Sequence, residues 1–222
     1  MNAQLDWLNA PEFPDTKLTP TVATPCTPQV MCAALAAAWL RLFGTEPEPH
    51  SLAILLSQWA LETGRGKACF CWNIGNARPP TTRGDTLCCQ LTHVSEVLGG
   101  VEYFFAPPSR GSTFRAFASL DEGADFYLGL LHSRFASAWP AVLVGDPVGY
   151  AQALHAAHYF TADVNQYSHT MQQLVEEFLK VANGYEAEPH EIPPDVAQAA
   201  QSSWLAEFHP EESAADNLNG EP

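Results

Sequence analysis

The chain has 222 residues, 46% of them hydrophobic and six of them Trp, enough to bury one sizeable core. Its 25 acids against ten bases give a net charge of −15, which argues against nucleic acid or an anionic membrane as a partner. No apolar run approaches the length of a membrane span, and the first residues lack the basic-then-apolar order of a Sec-type leader, so neither is predicted.

Residues 1–28 carry prolines at positions 11, 14, 20, 25 and 28 and no sustained period. They are expected to form an extended lead, with Leu5, Trp7, Leu8 and Phe13 free to pack on the domain. Over 29–43, Val30, Leu35, Trp39, Leu42 and Phe43 recur among alanines and Gly44 closes the run, which predicts a helix. Glu46-Pro47-Glu48-Pro49-His50 then reads as a rigid link. The helix after it has Leu52, Leu55, Leu56, Trp59 and Ala60 at three- and four-residue spacing and so buries a broad face.

That helix ends on one acid, Glu62, followed by Thr63, Gly64 and Gly66, which break it, and by the compact turn Trp72-Asn73-Ile74-Gly75-Asn76. A carboxylate at a helix C-terminus faces the negative end of the dipole. Apolar neighbours add to this, and both effects favour the protonated form that a proton donor needs.

Between 79 and 111, proline and glycine punctuate two short apolar runs, 87–91 and 101–105, around Gly99-Gly100, which predicts a small β-hairpin lobe. Helix returns after Ser119, where Ser119 and Glu122 have capping-box spacing and Ala124, Tyr127, Leu128, Leu130 and Leu131 form the apolar stripe. Residues 139–144 form a helix or turn stopped by Gly145-Asp146-Pro147. Helices over 148–158 and 168–181 flank the segment His158-Tyr159-Phe160-Thr161-Ala162-Asp163.

Nine acids and no Lys or Arg fall within 185–222, so the first 184 residues hold 16 acids against ten bases, a net of −6. Within this tail Val196, Ala200, Trp204 and Phe208 are four apart, the spacing of one face of a short helix over 192–208. The stripe either docks on the parent domain or binds a loading or inhibitory protein partner; otherwise the tail is a solvated extension. The six cysteines, Cys26, Cys32, Cys69, Cys71, Cys88 and Cys89, lack zinc-knuckle spacing, so no metal and no cofactor is predicted. A disulfide between the Cys69/Cys71 pair and the Cys88/Cys89 pair stands beside the alternative of buried free thiols.

The order of apolar helix, Glu, Thr-Gly-x-Gly and Asn-x-Gly-Asn turn resembles the glucosaminidase family of peptidoglycan hydrolases. The matching residues are Ala60-Leu61-Glu62-Thr63-Gly64-Arg65-Gly66-Lys67, Asn73-Ile74-Gly75-Asn76 and Phe114-Arg115-Ala116-Phe117-Ala118-Ser119. The resemblance spans roughly residues 27–183. Arg65 stands where an aromatic residue is common, His158 replaces a small residue before Tyr159, and Ala162 intrudes before Asp163. The family resemblance implies a mainly α (α+β) fold, a lysozyme-like helical domain over 29–184 with a small β-hairpin lobe, preceded by the lead 1–28 and followed by the acidic tail 185–222.

It also implies that the substrate is the glycan strand of peptidoglycan, cleaved at a β-1,4 bond, with Glu62 as the catalytic acid and Tyr159 beside it in the cleft. Trp72, Asn73, Asn76, Phe114 and Tyr167 would line the sugar site. A second carboxylate is usual in such chemistry. Asp85, Glu96 and Glu102 are the candidates, and Glu96, just before Gly99-Gly100, lies nearest to the family's hairpin acid. Glu102 in the returning strand reads as an outward-facing residue. The alternatives are a lytic transglycosylase, which can work with one acid, and a lysozyme-like binding or structural protein without catalysis. Action at the cell wall without a Sec-type leader would call for a phage holin or a dedicated secretion machine.

Overall fold

The computed structural model describes residues 3–10, 16–79, 86–98, 100–160 and 162–185. Asp85, Thr161 and the stripe within 192–208 lie outside these residues. The described residues form seven α-helices and two small sheets, a mainly helical architecture with a minor β component. They divide into two compact units, one from Met1–Cys26 and Glu62–Gly123, the other from Thr27–Leu61 and Ala124–Pro222.

The helical unit is built on α2 (Pro28–Phe43) and α3 (Pro49–Thr63), followed by α4 (Leu120–Arg134), α5 (Trp139–Val144), α6 (Pro147–Ala156) and α7 (Val164–Asn183). Local chemistry sets their ends. Thr27 accepts the Val30 N–H through its hydroxyl and Gly44 takes φ +69 to close α2, a cap of about 1 kcal/mol. Asp146 accepts the Val148 and Gly149 N–H groups at the start of α6, and Asp163 accepts that of Gln166 at the start of α7. The Ser119 hydroxyl accepts the Glu122 N–H, while the Glu122 carboxylate reaches the Ala118 N–H, one residue earlier than a strict capping box would place it.

α3 departs from a helix with one broad buried face, because every residue from Ser51 to Ala60 is buried. Its two buried serines are bonded: Ser51 Oγ donates to Val142 O, and Ser57 Oγ to Ala53 O. α7 packs on α6 and α2, its Phe178 ring lies 6.4 Å from the Trp59 ring of α3, and Trp39 of α2 stacks on Trp139 of α5 at 5.2 Å. A bidentate pair between Arg41 and Asp125 joins α2 to α4.

The other unit holds α1 (Ala3–Asn9) and five strands. β1 (Lys17–Leu18) runs parallel to β2 (Leu87–Gln90), which pairs antiparallel with β5 (Thr113–Arg115). β3 (Val94–Leu98) and β4 (Val101–Phe105) form a separate hairpin. The lead is therefore not simply extended. Leu8 is buried with Val94, Phe105 and Phe114, Leu5 and Trp7 pack against them, and the Arg110 N–H donates to Ala10 O after the helix ends. Tertiary contact makes a helix of seven residues that periodicity alone would not support.

The hairpin is also shifted from the expected one. Residues 101–105 pair with 94–98, not with 87–91. With Leu98 opposite Val101, the tight connection selects the strand immediately before it, and β2 is left free for the three-stranded sheet.

Candidate active site

Glu62 is the second-last residue of α3, and the chain beyond it turns through consecutive left-handed positions, Gly64 at φ +56, Arg65 at +60 and Gly66 at +80. Thr63 secures the exit: its hydroxyl accepts the Gly66 N–H and its carbonyl the Ala68 N–H. Cys71, Trp72 and Asn76 also have positive φ, at +50, +54 and +49. Non-glycine residues held there store strain of about 1–3 kcal/mol each, and such positions gather at functional sites.

The surroundings hold this segment rigidly. Ala23 bridges Phe70, the Cys71 N–H donates to Val22 O, and the Trp72 N–H donates to the Thr24 hydroxyl. On the other side the Arg115 N–H donates to Ala77 O and the Phe117 N–H to Cys71 O, so the Phe114-Arg115-Ala116-Phe117 motif is the scaffold of the turn. Gly123 lies against the Trp72 carbonyl, where an added Cβ would come within 2.1 Å of the oxygen.

Each expected site residue of this unit has a defined environment. Asn76 Nδ2 donates to the Glu62 main-chain oxygen at 2.5 Å and lies 3.4 Å from its Oε2. Trp72 is half-buried in the same turn. Asn73 is only 4% exposed and gives its amide to the main chain, donating to Ala77 O and Arg115 O and accepting the Ala77 N–H. These bonds hold the shape of the turn. Phe114 is likewise buried, beneath the Arg78 guanidinium at 4.5 Å, and acts as a floor.

The hairpin separates the candidate second acids. Side chains alternate along a strand, so Glu96 shares its face with Val94, which is buried with Phe105 in the core cluster. Glu102, opposite Val97, is exposed on the other face with Val97 and Phe104. Arg78 Nη2 donates to Glu96 Oε1 at 2.5 Å. Arg78 closes the segment that begins at Glu62, yet its motif gave no hint of this contact, since the partner lies 18 residues away.

In the helical unit Tyr159 is half-buried, its ring edge-on to Phe135 at 4.8 Å. The preceding His158 has φ +58, a left-handed conformation that glycine adopts most readily. The Tyr167 ring stacks on Phe160 at 3.8 Å, and its hydroxyl donates to Oε1 of the fully buried Gln58, one turn before Glu62 on α3. Gln58 is a second residue that sequence pattern missed, because a polar residue inside an apolar helix carries no periodic signal.

None of the six cysteines forms a disulfide, and five are buried. Cys71 and Cys89 are hydrogen-bonded neighbours.

No protein-family model matches the chain, and no curated protein sequence matches it significantly. Among solved structures it is similar to a mutant peptidoglycan hydrolase from Sphingomonas sp. A1, at 20% identity and a TM-score of 0.48 over 70% of this chain and 94% of that one. It is also similar to the peptidoglycan hydrolase from Sphingomonas sp. A1, at 18% identity and a TM-score of 0.45 over 73% of this chain and 99% of that one.

Proposed function

We propose that this chain is a peptidoglycan hydrolase that cleaves the β-1,4 glycosidic bond after N-acetylglucosamine. Glu62 protonates the leaving oxygen, and Glu96 supplies the second carboxylate. One observation carries the reading: Glu62 lies in the last turn of a buried helix and its main chain and carboxylate are both met by Asn76, so the two motifs that resemble the glucosaminidase family are physically joined.

The chemistry needs a proton donor fixed in place and a carboxylate that activates water or stabilises the oxocarbenium ion. Glu96 fits the second role better than Glu102, because it is on the inward face of the hairpin and held by Arg78. In this reading Trp72 and Asn76 meet the sugar, and Asn73 and Phe114 act by holding the turn.

Digestion of purified cell wall by wild type and Glu62→Gln, read by mass spectrometry of the released fragments, tests the proposal. Glutamine keeps the shape and cannot give up the proton, so release should fall by about two to four orders of magnitude while the thermal transition stays in place. Equal release by both proteins would remove Glu62 from the mechanism. Anhydro-sugar products would make the enzyme a lytic transglycosylase, and glycan binding without cleavage would make it a binding protein.

A further inference from the structure

Arg78 is held from three sides. Nη1 donates to Arg110 O at 3.0 Å and to Gly111 O at 2.7 Å, Nη2 donates to Glu96 Oε1 at 2.5 Å, and the guanidinium lies over the Phe114 ring. A planar fork bonded in this way fixes the direction of its remaining donors. The hairpin that carries Glu96 has two strands, too few to be stable without support. Phe105 supports one end, packed so closely on Gly111 that a Cβ there would lie 2.4 Å from the ring. Arg78 supports the middle, through Glu96.

Arg78 is also two residues from Asn76, which holds Glu62. Two residues span at most roughly 7 Å of chain, so both carboxylates are tied to one short segment.

We propose that Arg78 is a positioning residue that sets where the Glu96 carboxylate stands relative to the Glu62 carboxylate. This rests on the hydrolase reading, because carboxylate separation matters only if both groups act on the same bond. Retaining and inverting hydrolysis differ by only a few ångströms in that separation, so the reaction is sensitive to the anchor.

The test compares Arg78→Gln, Arg78→Lys, Glu96→Gln and the double variant Arg78→Gln/Glu96→Gln in the full chain. In wall digestion Arg78→Gln lowers kcat on the order of tenfold or more and leaves KM within about twofold, as expected for misplacement of a reacting group. The double variant is no slower than Glu96→Gln alone, because the two residues act as one unit. Arg78→Lys falls in between, since an ammonium keeps the charge and loses the fork. Independent, multiplying losses overturn the proposal, as does wild-type kcat in Arg78→Gln.

Hydrogen exchange gives a readout that needs no substrate. Amides of 94–98 and 101–105 should exchange faster in Arg78→Gln and Glu96→Gln by the same factor, with no further increase in the double variant. Unchanged exchange overturns the anchor even if wall digestion by Arg78→Gln is slowed. Should wild type release nothing from walls, the hydrolase reading falls while exchange still decides whether Arg78 holds the hairpin. If Arg78→Gln does not fold, the same comparisons run with Arg78→Lys and its double variant with Glu96→Gln.

Discussion

Asn76 and Glu62, 14 residues apart, meet twice: the Asn76 amide donates to the Glu62 main-chain oxygen at 2.5 Å and lies 3.4 Å from its carboxylate. Asn76 does this from a left-handed conformation, φ +49, that asparagine tolerates better than most residues. Two substitutions separate the roles. Asn76→Gly removes the amide and relieves the backbone, so kcat on cell wall should fall on the order of tenfold with little change in melting temperature. Asn76→Ala removes the amide and adds strain, costing a further 1–2 kcal/mol or so in denaturant unfolding. Equal stability and full activity in both would show that the contact is incidental.

Gly123 bears on the same turn from another direction. A Cβ at this position would meet the Trp72 carbonyl at 2.1 Å, and the obstacle is backbone, which cannot swing aside. Gly123→Ala should destabilise the chain by about 1–3 kcal/mol or more, as overpacking does. Because it displaces the Trp72 turn, it should also raise KM for glycan fragments. Unchanged urea midpoints would mean that the turn yields without cost.

Tyr167 and Gln58 offer a test of the buried side of α3. Tyr167→Phe keeps the ring stacked on Phe160 and deletes the hydroxyl that donates to Gln58 Oε1 at 2.7 Å. Loss of a bond to a fully buried acceptor should cost about 1–3 kcal/mol, measurable as a lower denaturation midpoint. An unchanged midpoint would show that the bond to Gln58 adds nothing to stability.

Local signals made much of this chain legible. α2 has its Thr27 cap, its stripe and Gly44; α5 and α6 are divided by Gly145-Asp146-Pro147; all are written within a few residues of where they act. What escaped was non-local. β1 finds β2 some 70 residues later, so nothing near Lys17 announces a parallel strand. The role of Asn73 is set by Arg115 O, 42 residues on, and that of Arg78 by a carboxylate on a hairpin whose register was itself displaced. The motif marks one segment. Only the fold showed which of its side chains face inward to hold it.

The buried thiols make stability depend on alkaline pH. Burial pushes Cys32 up to about 11. It also raises Cys26 to about 11, with the charge of Cys69 adding, and Cys88 to about 11 against the opposing pull of Arg115. Cys89 goes to about 12 through burial first and then its hydrogen bond with Cys71 and the charges of Cys71 and Cys88. An unfolded thiol titrates near 8.5, so above that pH the unfolded chain releases protons that the folded chain retains, and unfolding gains free energy. The stability from protonated buried thiols is therefore fully present below about pH 8.5 and is lost as pH rises towards 11–12. Melting temperature, measured under reducing conditions, should fall steadily across that window. Cys32→Ala and Cys88→Ala each remove one titrating group and should make the decline shallower, even though each lowers stability at neutral pH by leaving a small cavity. Tyrosine and lysine titrations, common to all three proteins, cancel in the comparison. Parallel declines in wild type and both variants would show that the thiols ionise in the folded chain as readily as in the unfolded one.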